Sequence, residues 1–180
     1  GTTRLTVTFN WKPTYSQSGT YRIVFSARDS KGATTTRTVT IVVRNVNRPP
    51  VLSNPGSKTV AEGATLRFTI SGSDPDGDSF TWSNSTLPAG AKITGTGASR
   101  TFTWTPSYTQ AGRVVVTFTI RDNGSPSLSA SRTVAITVTN TNLRPKLSDP
   151  GSKTVAENSR LTFVITASDP DKDAITWKPV

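Results

Sequence analysis

Apolar and polar residues alternate through most of this chain. Leu66, Phe68 and Ile70 are separated by polar neighbours, and Val114, Val116, Phe118 and Ile120, then Val134, Ile136 and Val138, keep the same spacing with Val115 and Ala135 as the apolar exceptions between them. Ile23 and Phe25, Val39, Ile41 and Val43, and Leu161, Phe163 and Ile165 repeat the pattern. A period of two places every second side chain on one face of an extended strand, so each run predicts a half-buried strand. Asp-Pro, Asp-Gly, Asn-Gly, Ser-Pro and Pro-Gly steps punctuate the runs, and each favours a turn for backbone reasons. No window carries a convincing helical period, and no apolar run approaches the about 18 residues of a membrane span. The pattern predicts an all-β chain in which seven or so short strands form a two-sheet sandwich.

The pattern also repeats. Phe9-Asn10-Trp11-Lys12-Pro13 is echoed by Phe102-Thr103-Trp104-Thr105-Pro106 at an offset of 93, and Pro55-Gly56-Ser57-Lys58-Thr59-Val60-Ala61-Glu62 recurs unchanged from Pro150 to Glu157 at an offset of 95. The two extra residues fall in the turn-rich segment that follows Arg121, where insertion is cheap. One repeat is thus about 95 residues, the size of a β-sandwich domain. The frame divides the chain into residues 1–46, the C-terminal half of one repeat; 47–142, a complete repeat; and 143–180, the N-terminal half of the next. Two readings of this frame stand: a segment of a longer array, or a subunit whose halves are completed by neighbouring molecules.

Composition narrows the chemistry. The 180 residues include no His, Cys or Met, which excludes disulfides, thiolate or imidazole metal sites and the Ser-His-Asp triad. Thr and Ser, at 32 and 21 residues, suit pleated strands. The net charge of +10 is spread over many strands and loops rather than clustered, a pattern of solvated faces and protected edges, although an anionic glycan is a conceivable partner. No nucleic-acid motif is present. Trp11 pairs with Trp104 and Trp82 with Trp177 across the repeat, which predicts core or corner packing rather than a sugar-stacking platform. No pocket-forming pair of carboxylates lies outside the turns, so the chain reads as non-catalytic.

Six of the 11 acidic residues lie in Asp74-Pro75-Asp76-Gly77-Asp78 and Asp169-Pro170-Asp171-Lys172-Asp173. Three carboxylates within five residues repel one another, and a hard dication bound by six to eight oxygens relieves that repulsion. The alternative is a simple turn, with Asp side chains capping backbone amides and Gly77 supplying positive φ.

Phe118-Thr119-Ile120-Arg121-Asp122-Asn123-Gly124-Ser125-Pro126, with Thr133 to Val138 and Asn140-Thr141-Asn142, resembles the end of a cadherin repeat. Val155-Ala156-Glu157-Asn158 and Ala167-Ser168-Asp169-Pro170-Asp171 resemble the start of the next. Leu87-Pro88-Ala89-Gly90, Phe102 to Pro106 and Gln110-Ala111-Gly112 are similar to bacterial cadherin-like and Ig-like surface repeats. The resemblance spans essentially the whole chain and implies calcium (Ca2+) between consecutive domains. At the first junction it implies Asn45, Asn47, Asp74, Asp76 and Asp122 as ligands. At the second it implies Glu62, Asn140, Asn142, Asp169 and Asp171. The linkers carry Asn where cadherins usually have Asp as well, and no Asp-Arg-Glu motif is recognisable in the complete repeat.

The resulting expectation is an extracellular or cell-surface array of tandem Ig-like or cadherin-like β-sandwich repeats, acting as a rigid, calcium-stiffened spacer of a prokaryotic adhesion protein. Its partners would be neighbouring repeats of the same or adjacent chains. A filament subunit completed by strand addition, and a module for anionic glycans, are the alternatives.

Overall fold

In the computed structural model, which describes residues 4–178, strand formation follows the availability of partners. Near the N-terminus, β1 (Gly19–Arg28) and β2 (Thr34–Val43) form an antiparallel hairpin with Gly19 opposite Val43. Eight strands follow: β3 (Val51–Leu52), β4 (Lys58–Ala61), β5 (Leu66–Ser73), β6 (Phe80–Asn84), β7 (Lys92–Thr94), β8 (Ser99–Trp104), β9 (Gly112–Asp122) and β10 (Ser129–Thr139). They form two four-stranded sheets, ordered β4-β10-β9-β6 and β3-β5-β8-β7. The β4–β10 pair is parallel and the others are antiparallel. Two short strands, β11 (Lys146–Leu147) and β12 (Ala167–Ser168), pair near the C-terminus. No described residue is helical.

The alternating residues of β5, β8, β9 and β10 meet between the sheets. Ile70, Phe102, Trp104, Val116, Phe118, Ile120, Val134 and Ile136 are all but fully buried there. Phe68 stacks on Phe102 across one sheet, with ring centroids 5.0 Å apart, and meets Phe118 of the facing sheet edge-on at 6.1 Å. Each such aromatic contact adds roughly 0.5–1.5 kcal/mol beyond the burial of its area. Trp104 caps the core with its Nε1–H donated to the Ala89 carbonyl at 3.0 Å.

The predicted strand through Leu161, Phe163 and Ile165 does not form. Their equivalents Leu66, Phe68 and Ile70 are at most 9% exposed, whereas these three are 38–48% exposed and only Ala167–Ser168 pairs. Among the described residues no strand pairs with them as β8 pairs with β5 along its length. The aromatic expectation needs a similar correction: Trp104 is core, Trp82 is half-buried under the Arg100 guanidinium, and Trp177 is 61% exposed.

The topology places acidic residues at both ends of the sandwich. β5 runs into the 74–78 turn and β9 ends at Asp122, opposite Phe80 of β6. β4 ends beside Glu62, where β9 starts. Eleven residues of β9 at about 3.3 Å each separate these ends by roughly 35 Å.

Candidate metal centre

The first acidic turn is built on Asp74. Its Oδ1 accepts the backbone N–H groups of Asp76 and Asp78 at 2.8 and 3.2 Å, which folds the run so that Gly77 takes φ = +80°. Oxygens of Asp74, Asp76 and Asp78 then lie within 4.8 Å of one another. The second turn repeats the device: Asp169 Oδ1 accepts from Asp171 and Asp173, and Asp169, Asp171 and Asp173 group in the same way. Lys172 stands where the first turn has Gly77 and adopts φ = +66°.

Asp122 joins the first turn from β9. Its Oδ1 accepts N–H groups from Gly124 and Leu128, and its Oδ2 accepts the Asn47 side-chain amide at 3.1 Å. Asn47 is 8% exposed and also donates to the Pro126 carbonyl at 2.8 Å. It lies so close to Gly124 that a Cβ there would sit 2.3 Å from the Asn47 amide. Glycine at 124 therefore creates the seat for Asn47.

Asp76 takes a different partner. Its Oδ2 accepts the Arg48 backbone N–H at 2.7 Å, and its Oδ1 meets the guanidinium at 2.8 Å (Nε) and 2.7 Å (Nη2). These bonds hold the Asp76 carboxyl below its ordinary pKa, against desolvation. The Asp78 carboxyl moves the other way, pushed up by desolvation and then by the charges of Asp74, Asp122 and Asp76.

At the other end Glu62 is buried. Its Oε1 accepts N–H groups from Gln110 and Ala111 at 3.0 and 2.7 Å, and its Oε2 accepts that of Thr141 at 3.1 Å. Glu62, Asn140 and Asp171 share the wall of one cavity of about 200 Å³ with Tyr108 and Lys172. Asp171 Oδ2 accepts the Leu143 N–H, while its Oδ1 is buried without a partner.

The residues expected from sequence are thus distributed unevenly. Asn47, Asp74, Asp76 and Asp122 converge, and so do Glu62, Asn140 and Asp171, with Asp169 grouped beside Asp171. Asn45 is exposed and lines a separate groove with Pro13, Tyr15 and Arg44. Asn142 is exposed. Asp78 and Asp173 belong to the groups but were missing from the ligand sets, although the spacing of the five-residue runs already pointed to them. Arg48 had no sequence signal, because its partner lies 28 residues away.

Among the described residues, three buried side-chain oxygens lack a hydrogen-bond partner: Asn47 Oδ1, Asp74 Oδ2 and Asp171 Oδ1. An orphaned buried acceptor costs about 1–3 kcal/mol. Orphans in carboxylate and amide groups, beside carboxylates, fit the all-oxygen donor set that calcium requires.

The He_PIG (Putative Ig domain) family matches residues 49–139, half of the chain. The chain belongs to this family. Solved structures extend the likeness. Human CDH23 EC21-23 is 21% identical with a TM-score of 0.54, over 83% of this chain and 54% of that one. The protocadherin GammaB4 extracellular domain is 22% identical with a TM-score of 0.53, over 88% of this chain and 28% of that one. At such identities the likeness is one of fold, and it makes this an Ig-like, cadherin-like β-sandwich repeat. An endo-fucoidan hydrolase, MfFcnA4 of glycoside hydrolase family 107, is 22% identical with a TM-score of 0.44, over 72% of this chain and 20% of the enzyme. The chain therefore spans between a fifth and about half of these structures. A comparison with curated proteins finds no match.

Proposed function

We propose that the chain belongs to an extracellular array of Ig-like repeats that acts as a stiff, non-catalytic spacer of a prokaryotic surface or adhesion protein, braced by calcium where repeats meet. A complete repeat would occupy residues 47–142, flanked by halves over 1–46 and 143–180. The observation that carries this reading is Asp171 Oδ1, a buried carboxylate oxygen without a partner in a cavity it shares with Glu62 and Asn140. Those three residues come from the body of one repeat, from the linker and from the start of the next. Calcium bound there would tie the three together and remove hinge freedom.

The second ligand set is Glu62, Asn140, Asp169, Asp171 and Asp173. The first is Asn47, Asp74, Asp76, Asp78 and Asp122. Thermal denaturation tests the reading. Millimolar calcium is expected to raise the melting temperature by several degrees over chelator, because a ligand that binds only the folded state stabilises it by mass action. Identical curves would contradict it.

A second reading, a filament subunit, is favoured by one observation. Val7 and Phe9 on one flank, and Leu161, Phe163 and Ile165 on the other, are exposed at positions whose equivalents pair between β8 and β5. Copies joined head to tail would cover both faces by strand addition. Sedimentation separates the readings: large linear assemblies support the filament, and a monomer supports the spacer.

A further inference from the structure

Arg48 and Leu143 are equivalent residues, 95 apart in sequence, each the first residue after a linker Asn. Both donate a backbone N–H to the middle aspartate of an acidic turn, Arg48 to Asp76 and Leu143 to Asp171. Their side chains then part ways. The Arg48 guanidinium covers Asp76 Oδ1 through Nε and Nη2, and Nη2 also donates to the Pro75 carbonyl at 2.5 Å. Leucine offers the corresponding oxygen of Asp171 nothing, and that oxygen is buried without a partner; at the first junction the orphans are instead Asn47 Oδ1 and Asp74 Oδ2, and both oxygens of Asp76 are bonded. Among the described residues Arg48–Asp76 is the one ion pair, so Lys172 does not replace the guanidinium at Asp171.

The other face of the guanidinium is also engaged. Tyr15, from the preceding half-repeat, lies under it at 4.9 Å from ring centroid to Cζ. A cation between a carboxylate and an aromatic face is held from both sides. The chain Tyr15–Arg48–Asp76 thus runs from one repeat through the linker into the next. The equivalent of Tyr15 at the other end is Tyr108, which lines the cavity with Asp171 and Lys172 but, among the described residues, has no cation stacked on its ring.

We infer that Arg48 is a resident cation that latches the first junction without metal, so that calcium braces the second junction and binds the first only weakly. This rests on the calcium reading proposed above. The physical reason is competition. Both oxygens of Asp76 are already engaged by charge-assisted and backbone hydrogen bonds, and a fixed positive charge sits beside any incoming dication. The number of charged ligands in an oxygen-ligated site is one of the two levers that tune calcium affinity over several orders of magnitude. The array would then alternate between a permanent joint and one that responds to calcium.

The test exchanges the two residues in the full chain. Calcium isotherms are measured by calorimetry, with terbium luminescence sensitised by the chain's Trp and Tyr as an independent readout. The wild-type chain is expected to show one tight class of sites. Arg48→Leu should create a second class at least tenfold tighter than the weak binding it replaces. Leu143→Arg should weaken the wild-type class at least tenfold. In chelator, Arg48→Leu should lower the melting temperature and Leu143→Arg should not. Should Arg48→Leu fail to fold, Arg48→Gln removes the charge while keeping the length, with the same expected gain. If Arg48→Leu and Leu143→Arg leave a measurable isotherm unchanged, the inference is overturned and the calcium reading stands. If neither wild type nor Arg48→Leu binds either ion, both are overturned.

Discussion

Glu62 shows how a single carboxylate can serve the fold and a site together. Three backbone N–H groups point at its two oxygens, and an ionised carboxylate has about four acceptor positions, so one remains for the cavity. Glu62→Gln keeps the shape but turns an amide N–H toward a backbone donor. It is expected to destabilise the chain by about 1–3 kcal/mol in chelator, measured by urea denaturation; an unchanged midpoint would contradict the assignment. Asp78 behaves in the opposite sense. Its folded pKa is raised by desolvation and by neighbouring carboxylates, so its ionised form is disfavoured at neutral pH, a penalty relieved as pH falls toward the raised value. Asp78→Asn should therefore raise the calcium-free melting temperature at pH 7, while the further rise that calcium produces through the second junction is retained. A fall in chelator would count against it. Gly124→Ala should unseat Asn47 and cost about 2 kcal/mol or more, read from the same denaturation curves. The spacing of the acidic runs made the carboxylate groups legible in the sequence. The Arg48 pairing was not, because only the docking of linker against turn brings residues 48 and 76 together.

At the scale of elements, the lesson comes from two nearly identical segments. Leu66–Ser73 and residues 161–168 share the same alternation, yet the first is a full strand against β8 and the second pairs over two residues. Alternation encodes which face a strand would bury; cross-strand partners supply most of the stabilisation. The sequence pattern therefore located β5, β9 and β10 well and overstated the strand at Leu161. The same reasoning separates the tryptophans, since Trp104 has a facing sheet while Trp177 has none. Hydrogen exchange followed by mass spectrometry should show amides of 66–71 protected by orders of magnitude and those of 161–165 exchanging near the unprotected rate. Equal protection in the isolated chain would mean that the C-terminal segment has found a partner strand, as the filament reading requires.

For the whole molecule, the two ends of the central sandwich are wired to its neighbours by different chemistry. Linker residue Asn47 is seated against Asp122, and Thr141 is bound to Glu62 through both its N–H and its hydroxyl. Short linkers anchored on each side, with prolines at 49, 50 and 145 restricting φ, leave few soft torsions. Metal at the acidic turns would remove more of them. The proposed role depends on that stiffening, so the most direct measurement is small-angle X-ray scattering of the purified chain in millimolar calcium and in chelator. The predicted result is a monomer whose maximum dimension increases and whose distance distribution sharpens when calcium is added, with the change lost in Asp171→Asn. Superimposable profiles in the two conditions, from a chain that remains folded, would contradict a calcium-braced spacer.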